Sequence, residues 1–168
     1  IDSRIAEAPP TRSVRGAASY LYDSGSDLGA GGARLDAGNG RFALHADAYA
    51  SRNGELRIPG AAWTPDVQAA RGDPGPAGQL PNSRGDSQTW GLGASAFLDD
   101  RGYVGLSYSR FDTNYGTVAE PDVTIELRQQ AWNVAGELRD SVPGLKSLRT
   151  KYGYSDYTHT ELEGSTAG

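Results

Sequence analysis

The chain has 168 residues, no Cys, no Met, 23 Gly and 9 Pro, and a formal net charge of −5. Without Cys there is no disulfide framework, thiolate nucleophile or thiolate metal site. The acidic balance leaves no basic stripe to neutralise nucleic-acid phosphates, so nucleic acid is not an expected partner.

Residues 1–13 show no period, and Pro9-Pro10 makes them an extended connector rather than a helix. From Val14 the period becomes 2, with Val14, Ala18, Tyr20 and Tyr22 on one face. Asp23–Asp27 reads as a turn cluster and 28–37 as a Gly-rich second strand. Gly38-Asn39-Gly40 signals a tight hairpin, because Asn and Gly tolerate positive φ. Phe42, Leu44, Ala46 and Ala48 then alternate with Arg41, His45, Asp47 and Tyr49. Five prolines fall between Ser51 and Ser87, which predicts one long loop without regular structure.

Alternation returns at Trp90, Leu92, Ala94, Ala96 and Leu98, opposite Gly91, Gly93, Ser95 and Phe97. A short turn at 99–102 leads into a strand over 103–112, and 114–122 reads as a medium loop. The strand over 123–139 carries its apolar residues first at odd positions (Val123, Ile125, Leu127), then at even ones (Trp132, Val134, Leu138). That switch predicts a bulge, or an exit from the membrane, near Gln129-Gln130. A turn at 140–147 precedes a seventh strand over 148–163, and 164–168 reads as the start of a loop.

Seven alternating strands fit two architectures. A soluble sandwich turns its apolar faces inward, whereas a transmembrane barrel turns them outward to lipid. Small polar residues on the second face and Tyr or Trp toward strand ends (Tyr20, Tyr22, Tyr49, Trp90, Tyr103, Tyr108, Trp132) favour the barrel. So do connections that alternate between short and long, apart from the short one at 23–27. The expected fold is all-β, an antiparallel transmembrane β-barrel. Bacterial single-chain barrels close with an even number of strands, eight or more, so seven strands predict an incomplete part of a larger barrel. The missing initiator Met fits a piece of a longer or processed chain. The alternatives are a small complete barrel with a structural or adhesive role, and a soluble β-sandwich binding module.

Several motifs occur in a definite order: Arg57-Ile-Pro-Gly60, Leu80-Pro-Asn-Ser83, the run from Asp100 to Asp112, Asn114-Tyr-Gly116, the run from Val123 to Gln129, and the run from Tyr157 to Gly164. With them the chain resembles the early barrel of TonB-dependent outer-membrane receptors, nearest to the branch for zinc and related metals. Ile1–Ile5 is similar to the end of that family's plug domain. The resemblance implies a 22-strand barrel around a plug, with 1–13 ending the plug and 14–168 forming the first strands. It implies residence in the bacterial outer membrane, contact with its lipid, and an extracellular loop at about 51–87. It also implies coupling to the TonB complex through plug sequence outside this chain, and import of a divalent metal such as zinc or a ferric, siderophore-type chelate. No catalytic residue and no resident cofactor are implied. The segment after Asn114-Tyr-Gly116 has no His, unlike the His-rich stretch of zinc-type relatives.

His159, Glu161 and Glu163 are spaced two apart, so a strand puts them on one face, where imidazole and carboxylates can ligate a divalent metal. His45 and Asp47, with Tyr49, form a second such set, read first as a contact to a plug or lumen. The two Arg-Gly-Asp triplets, at 71–73 and 84–86, sit in Gly-rich sequence where such triplets arise by chance. No Ser/His/Asp constellation or phosphate-binding Gly loop stands out, and an enzyme is not expected.

Overall fold

The computed structural model describes residues 4–11 and 13–164, with backbone only at 141 and 142. The beginning of the plug-like motif, Ile1–Ser3, and the end of the expected terminal loop, 165–168, lie outside the described residues. Seven antiparallel strands form one sheet: β1 (Val14–Asp23), β2 (Leu28–Gly38), β3 (Phe42–Asn53), β6 (Gly85–Phe97), β7 (Gly102–Thr117), β8 (Glu120–Val142) and β9 (Leu145–Glu163). Between β3 and β6 stand a two-stranded hairpin, β4 (Leu56–Ala61) and β5 (Ala77–Leu80), and a short helix α1 (Pro65–Arg71). The large sheet runs β1-β2-β3-β6-β7-β8-β9 and is open, since β1 and β9 are its two edges.

The expected long loop at 51–87 is therefore corrected. β3 continues to Asn53 and β6 begins at Gly85, and 54–84 folds on itself. Pro65 starts α1, where a missing N–H costs nothing. Gly72 ends it at φ 64°, a left-handed value natural to Gly. The expected loop at 114–122 shrinks to a two-residue turn between Thr117 and Glu120. Register through Gln129-Gln130 is unbroken on both sides of β8, so no bulge lies there. The apolar residues simply change faces along one continuous strand.

Partner residues across antiparallel strands share a face, which defines the two faces of the sheet. One is covered by residues 4–10. It carries His45 and Asp47, Gly91, Gly93 and Ser95, Gly105 and Ser107, Asn133, Ala135 and Glu137, and Lys151 and Gly153. A small core of Ile5, Ala43, Phe97, Tyr103 and Ala135 sits on it. The other face is bare. Phe42, Leu44, Leu92, Val104 and Leu106 lie there, 46–59% exposed, with no second sheet over them among the described residues. Tyr49 and Tyr103 belong to the covered face, so they leave the expected aromatic girdle, while Trp90, Tyr108 and Trp132 stay on the bare one.

The upper limit of the bare face's aromatic band slips against the hydrogen-bond rows. It stands at Tyr22 on β1, whose row runs through Gly29, Arg52, Asp86, Asn114 and Glu126 to Thr160 on β9. On β8 and β9 the band ends instead at Trp132 and Tyr154. That is six residues lower on β9, after six strand-to-strand steps. One residue per step, at a rise of about 3.3 Å and a strand spacing of about 4.8 Å, corresponds to a slope of about 35°.

Candidate functional site

The chemistry-bearing groups converge on the covered face, beneath residues 4–10. Glycines form the floor there. A Cβ added at Gly93 would overlap the Arg4 carbonyl, one at Gly91 the Arg4 guanidinium, and one at Gly105 the Ile5 side chain. Ile5 is 7% exposed, and Ser107 beside Gly105 in the strand is 1% exposed. Burying an aliphatic side chain of this size stabilises by about 1.5–3 kcal/mol. Ser95 Oγ is buried without a hydrogen-bond partner among the described residues.

Arg4 then reaches β3. Its Nε donates to Asp47 Oδ1 at 2.6 Å and its Nη2 to Asp47 Oδ2 at 2.9 Å. His45 lies between two carboxylates, with Nδ1 2.6 Å from Asp36 Oδ1 and Nε2 3.0 Å from Asp47 Oδ1. A doubly protonated ring donates to both oxygens, whereas a neutral ring can donate to only one. Arg4 and Asp47 are about one-fifth exposed, so their charge-assisted pair is screened less than a surface pair. An open cleft of about 600 Å³ beside them is lined by Arg4, Ala8, Pro10, Arg15, Asp36 and His45.

The segment makes two further contacts. Glu7 faces Lys151 on β9 at 3.4 Å, an exposed pair of small energetic weight. Pro10 packs where a Cβ at Gly38 would stand, and Gly38 N–H donates to the Ser13 carbonyl at 2.8 Å. Glu137, on the same face, is bracketed by Arg139 at 3.1 Å and Arg149 at 3.3 Å.

Higher on this face, beyond the level of Trp132, apolar and polar side chains mix, with Thr113, Gln129 and Glu163 of the same parity. Phe111, Tyr115, Ile125, Leu127 and Tyr157 share the covered-face parity there with His159 and Glu161. His159, Glu161 and Glu163 do lie on one face, opposite Leu127, Ile125 and Val123. A strand spaces alternate residues by about 7 Å. Among the described residues no group of three or more His, Cys, Asp or Glu is gathered as a metal site. His159 instead stands 3.3 Å from the Tyr157 hydroxyl. His45 and Asp47 are engaged with Asp36 and Arg4, so the set first read as a plug or lumen contact meets residues 4–10.

The 54–84 insertion is fastened at both ends. Arg57 Nη2 donates to Asp27 at 2.9 Å, and its N–H donates to the Gly25 carbonyl at 2.8 Å. At the other end Asn82 Nδ2 faces the carbonyls of Thr117, Glu120 and Val123 at 3.1, 3.1 and 2.7 Å. Asn82 is buried, with φ 55°. Of the two Arg-Gly-Asp triplets, 71–73 spans the end of α1, with Arg71 over the Trp63 ring at 4.5 Å, and 84–86 enters β6.

Sequence marks Arg4 and Ile5 only within the Ile1–Ile5 motif and Asn82 only within Leu80–Ser83, and gives none of the three a contact or role. A run of Gly and Ser on one face of adjacent strands is a usable signal for Ile5, since such a floor lets another backbone approach closely. Asn82 follows Pro81, a turn signal that says nothing of three distant carbonyls. No protein-family model matches the chain, and no curated protein matches it closely enough to identify a relative.

Proposed function

We propose that this chain is part of the wall of an outer-membrane β-barrel receptor of the TonB-dependent kind, importing a metal ion or metal chelate. The observation that carries the membrane reading is the bare face. Its apolar residues are exposed, its upper aromatic limit slopes at about 35°, and strands of membrane barrels tilt by about 35–45°. From Trp90 on β6 to Leu98 just past its end, the bare band covers about 26 Å along the strand direction, or about 22 Å along a membrane normal at that tilt. That compares with an apolar band of about 25 Å in known barrels. Trp90, Tyr108 and Trp132 pack side by side at its upper limit, their rings tilted by 56° and 51° with centroids 5.2 and 4.6 Å apart. Amphipathic rings of this kind favour a membrane–water interface.

Two other readings lose support. A small complete barrel requires β1 to pair with β9, and these are open edges. A sandwich requires a dry interior around Leu44, Leu92 and Leu106, which face outward uncovered. Further strands at both edges would remove the unpaired backbone groups, as closure does in barrels.

The importer reading rests on the resemblance, and two features support it. A segment crosses the inside of the wall at residues 4–10, where a plug's end would leave. Above the membrane band the inward parity mixes Phe111, Tyr115, Ile125, Leu127 and Tyr157 with Thr113, Gln129, His159, Glu161 and Glu163. That surface and the 54–84 insertion would form the capture region for a metal or its chelate.

Cysteine scanning tests the membrane reading on a stretch free of native Cys. Single cysteines at 104, 106 and 134 should be shielded from a membrane-impermeant maleimide in outer-membrane vesicles. Equal labelling there and at exposed position 60 on β4 would refute it. Uptake of zinc and of ferric chelates by cells with and without TonB tests the importer reading. Uptake that does not depend on the full-length protein would refute that part alone.

A further inference from the structure

We infer that the bare face, above its aromatic limit, binds a lipid headgroup built from phosphorylated sugar, with Arg110 and Arg128 on the phosphate. This rests on the membrane part of the reading above and not on the importer part.

The bare face changes chemistry within one row. Its limit on β6–β9 runs through Trp90, Tyr108, Trp132 and Tyr154. Arg110, Gln130 and Asp156 continue the row of Trp90. The next row holds Gln88, Asp112, Arg128 and Thr158, and the one above it Asp86, Asn114, Glu126 and Thr160. No apolar side chain interrupts these two upper rows on β6–β9. From Trp132 to Glu126 the strand climbs about 20 Å, or about 16 Å along the membrane normal at a slope of about 35°. The headgroup layer on each side of a phospholipid bilayer is about 5–8 Å thick. The polar face is continuous with the lipid-facing band and reaches about twice as high as such a layer. Its height matches a taller, sugar-bearing headgroup.

Asp112 accepts from two guanidiniums, one on its own strand and one on the next. Arg110 donates from Nε at 2.6 Å and Nη2 at 2.9 Å, and Arg128 from Nε at 2.9 Å. The Arg128 side chain is 59% exposed. It commits only Nε among the described residues, which leaves its terminal Nη groups to fork onto a phosphate. An open cleft of about 380 Å³ lies over Arg110, Asp112 and Arg128 and is shared by Asp86, Asn114 and Glu126. The carboxylates of these rows (Asp86, Asp112, Glu126 and Asp156) outnumber the two guanidiniums, so the patch has no net field to attract a free anion. A sugar phosphate suits it better. Its hydroxyls donate to Asp86 and Glu126 and accept from Asn114, while its phosphate meets the guanidiniums.

The test uses the full-length protein in detergent, offered equal amounts of three lipids. These are a glucosamine-based lipid bearing phosphate, the same lipid with its phosphate removed, and phosphatidylglycerol. Native mass spectrometry reads what is retained. The phosphorylated glycolipid should be retained about tenfold or more over either of the others, the discrimination expected of one charge-assisted fork. Arg128→Ala, which leaves Asp112 paired with Arg110, should lose that preference. Asn114→Ala, which breaks no ion pair, is the second variant and should lower retention of both glycolipids. Equal retention of glycolipid and phosphatidylglycerol would overturn the inference, as would a preference unchanged in both variants. Displacement by millimolar inorganic phosphate would also overturn it, by marking a free-anion site. The cysteine labelling at 104, 106 and 134 separates the two failures. If those positions are labelled in outer-membrane vesicles, the membrane reading fails and takes this inference with it. If they are shielded and no lipid preference appears, this inference fails alone.

Discussion

Gly93→Ala is the sharpest probe of the seat under residues 4–10. The substitution itself favours the strand, since Gly in a strand interior costs about 0.5–1 kcal/mol relative to Ala. Its effect on the segment is the opposite, because the new methyl group would occupy the space of the Arg4 carbonyl. If Arg4 and Ile5 lift, the burial of Ile5 is lost, worth about 1.5–3 kcal/mol. The charge-assisted bonds to Asp47 are lost too, worth about 1.5–3 kcal/mol. Together these set a change of about 3–6 kcal/mol in the free energy of local opening. At about 1.4 kcal/mol per decade, opening becomes a hundredfold or more easier. Trypsin reports it directly, because the Arg4–Ile5 bond is a cleavage site whose second residue is buried. When opening is fast relative to cutting, cleavage tracks the open population. A new amino terminus at Ile5 should therefore appear about a hundredfold faster in Gly93→Ala than in the parent. Gly60→Ala, at a position with no atom within 4 Å of the added carbon, is the control and should cut at the parental rate. Equal rates in all three proteins would refute the steric account of the seat.

Three other outcomes are expected. Leu106→Arg puts a charge on the bare face and should destabilise the protein in lipid vesicles by about 2–4 kcal/mol, so an unchanged denaturant midpoint there would count against a lipid-facing role. Asn82→Gly keeps the φ of 55° accessible while removing the amide shared among three carbonyls. Proteolysis within 62–76 should rise without loss of the large sheet, read as fragment pattern and circular dichroism. His159→Ala should weaken divalent-metal binding by the full-length protein, measured by calorimetry; unchanged affinity would remove His159, Glu161 and Glu163 as a site.

The strands were legible where a single apolar face repeats every second residue, as at Phe42–Ala48 and Trp90–Leu98. The Gly38-Asn39-Gly40 signal lies at the β2–β3 hairpin, where the Asn39 side chain accepts from the N–H groups of Arg41 and Phe42. Legibility failed where neither face is consistently apolar. β7 beyond Asp112 continues as a paired strand through Asn114, Tyr115 and Gly116, residues that read as loop, and β8 starts before Val123 with Glu120 paired to Thr117. Their pairing is carried by backbone hydrogen bonds, which leave no trace in hydropathy. The 54–84 hairpin was hidden by its prolines, which sit at strand and helix starts or in turns except for Pro59. His45 and Asp47 were singled out in advance, but their partners Arg4 and Asp36 are distant in sequence from one another.

The double fastening of the insertion bears on how the surface of this protein can change. Arg57–Asp27 at one base and Asn82 at the other hold the stem of the hairpin in place. Between them, around α1, no residue is buried. Loops fastened at the stem and exposed at the tip absorb insertions with little effect on the body of a fold. The stretch around Gly72–Pro74 is therefore a suitable graft point for a foreign peptide, displayed without disturbing the strands beneath.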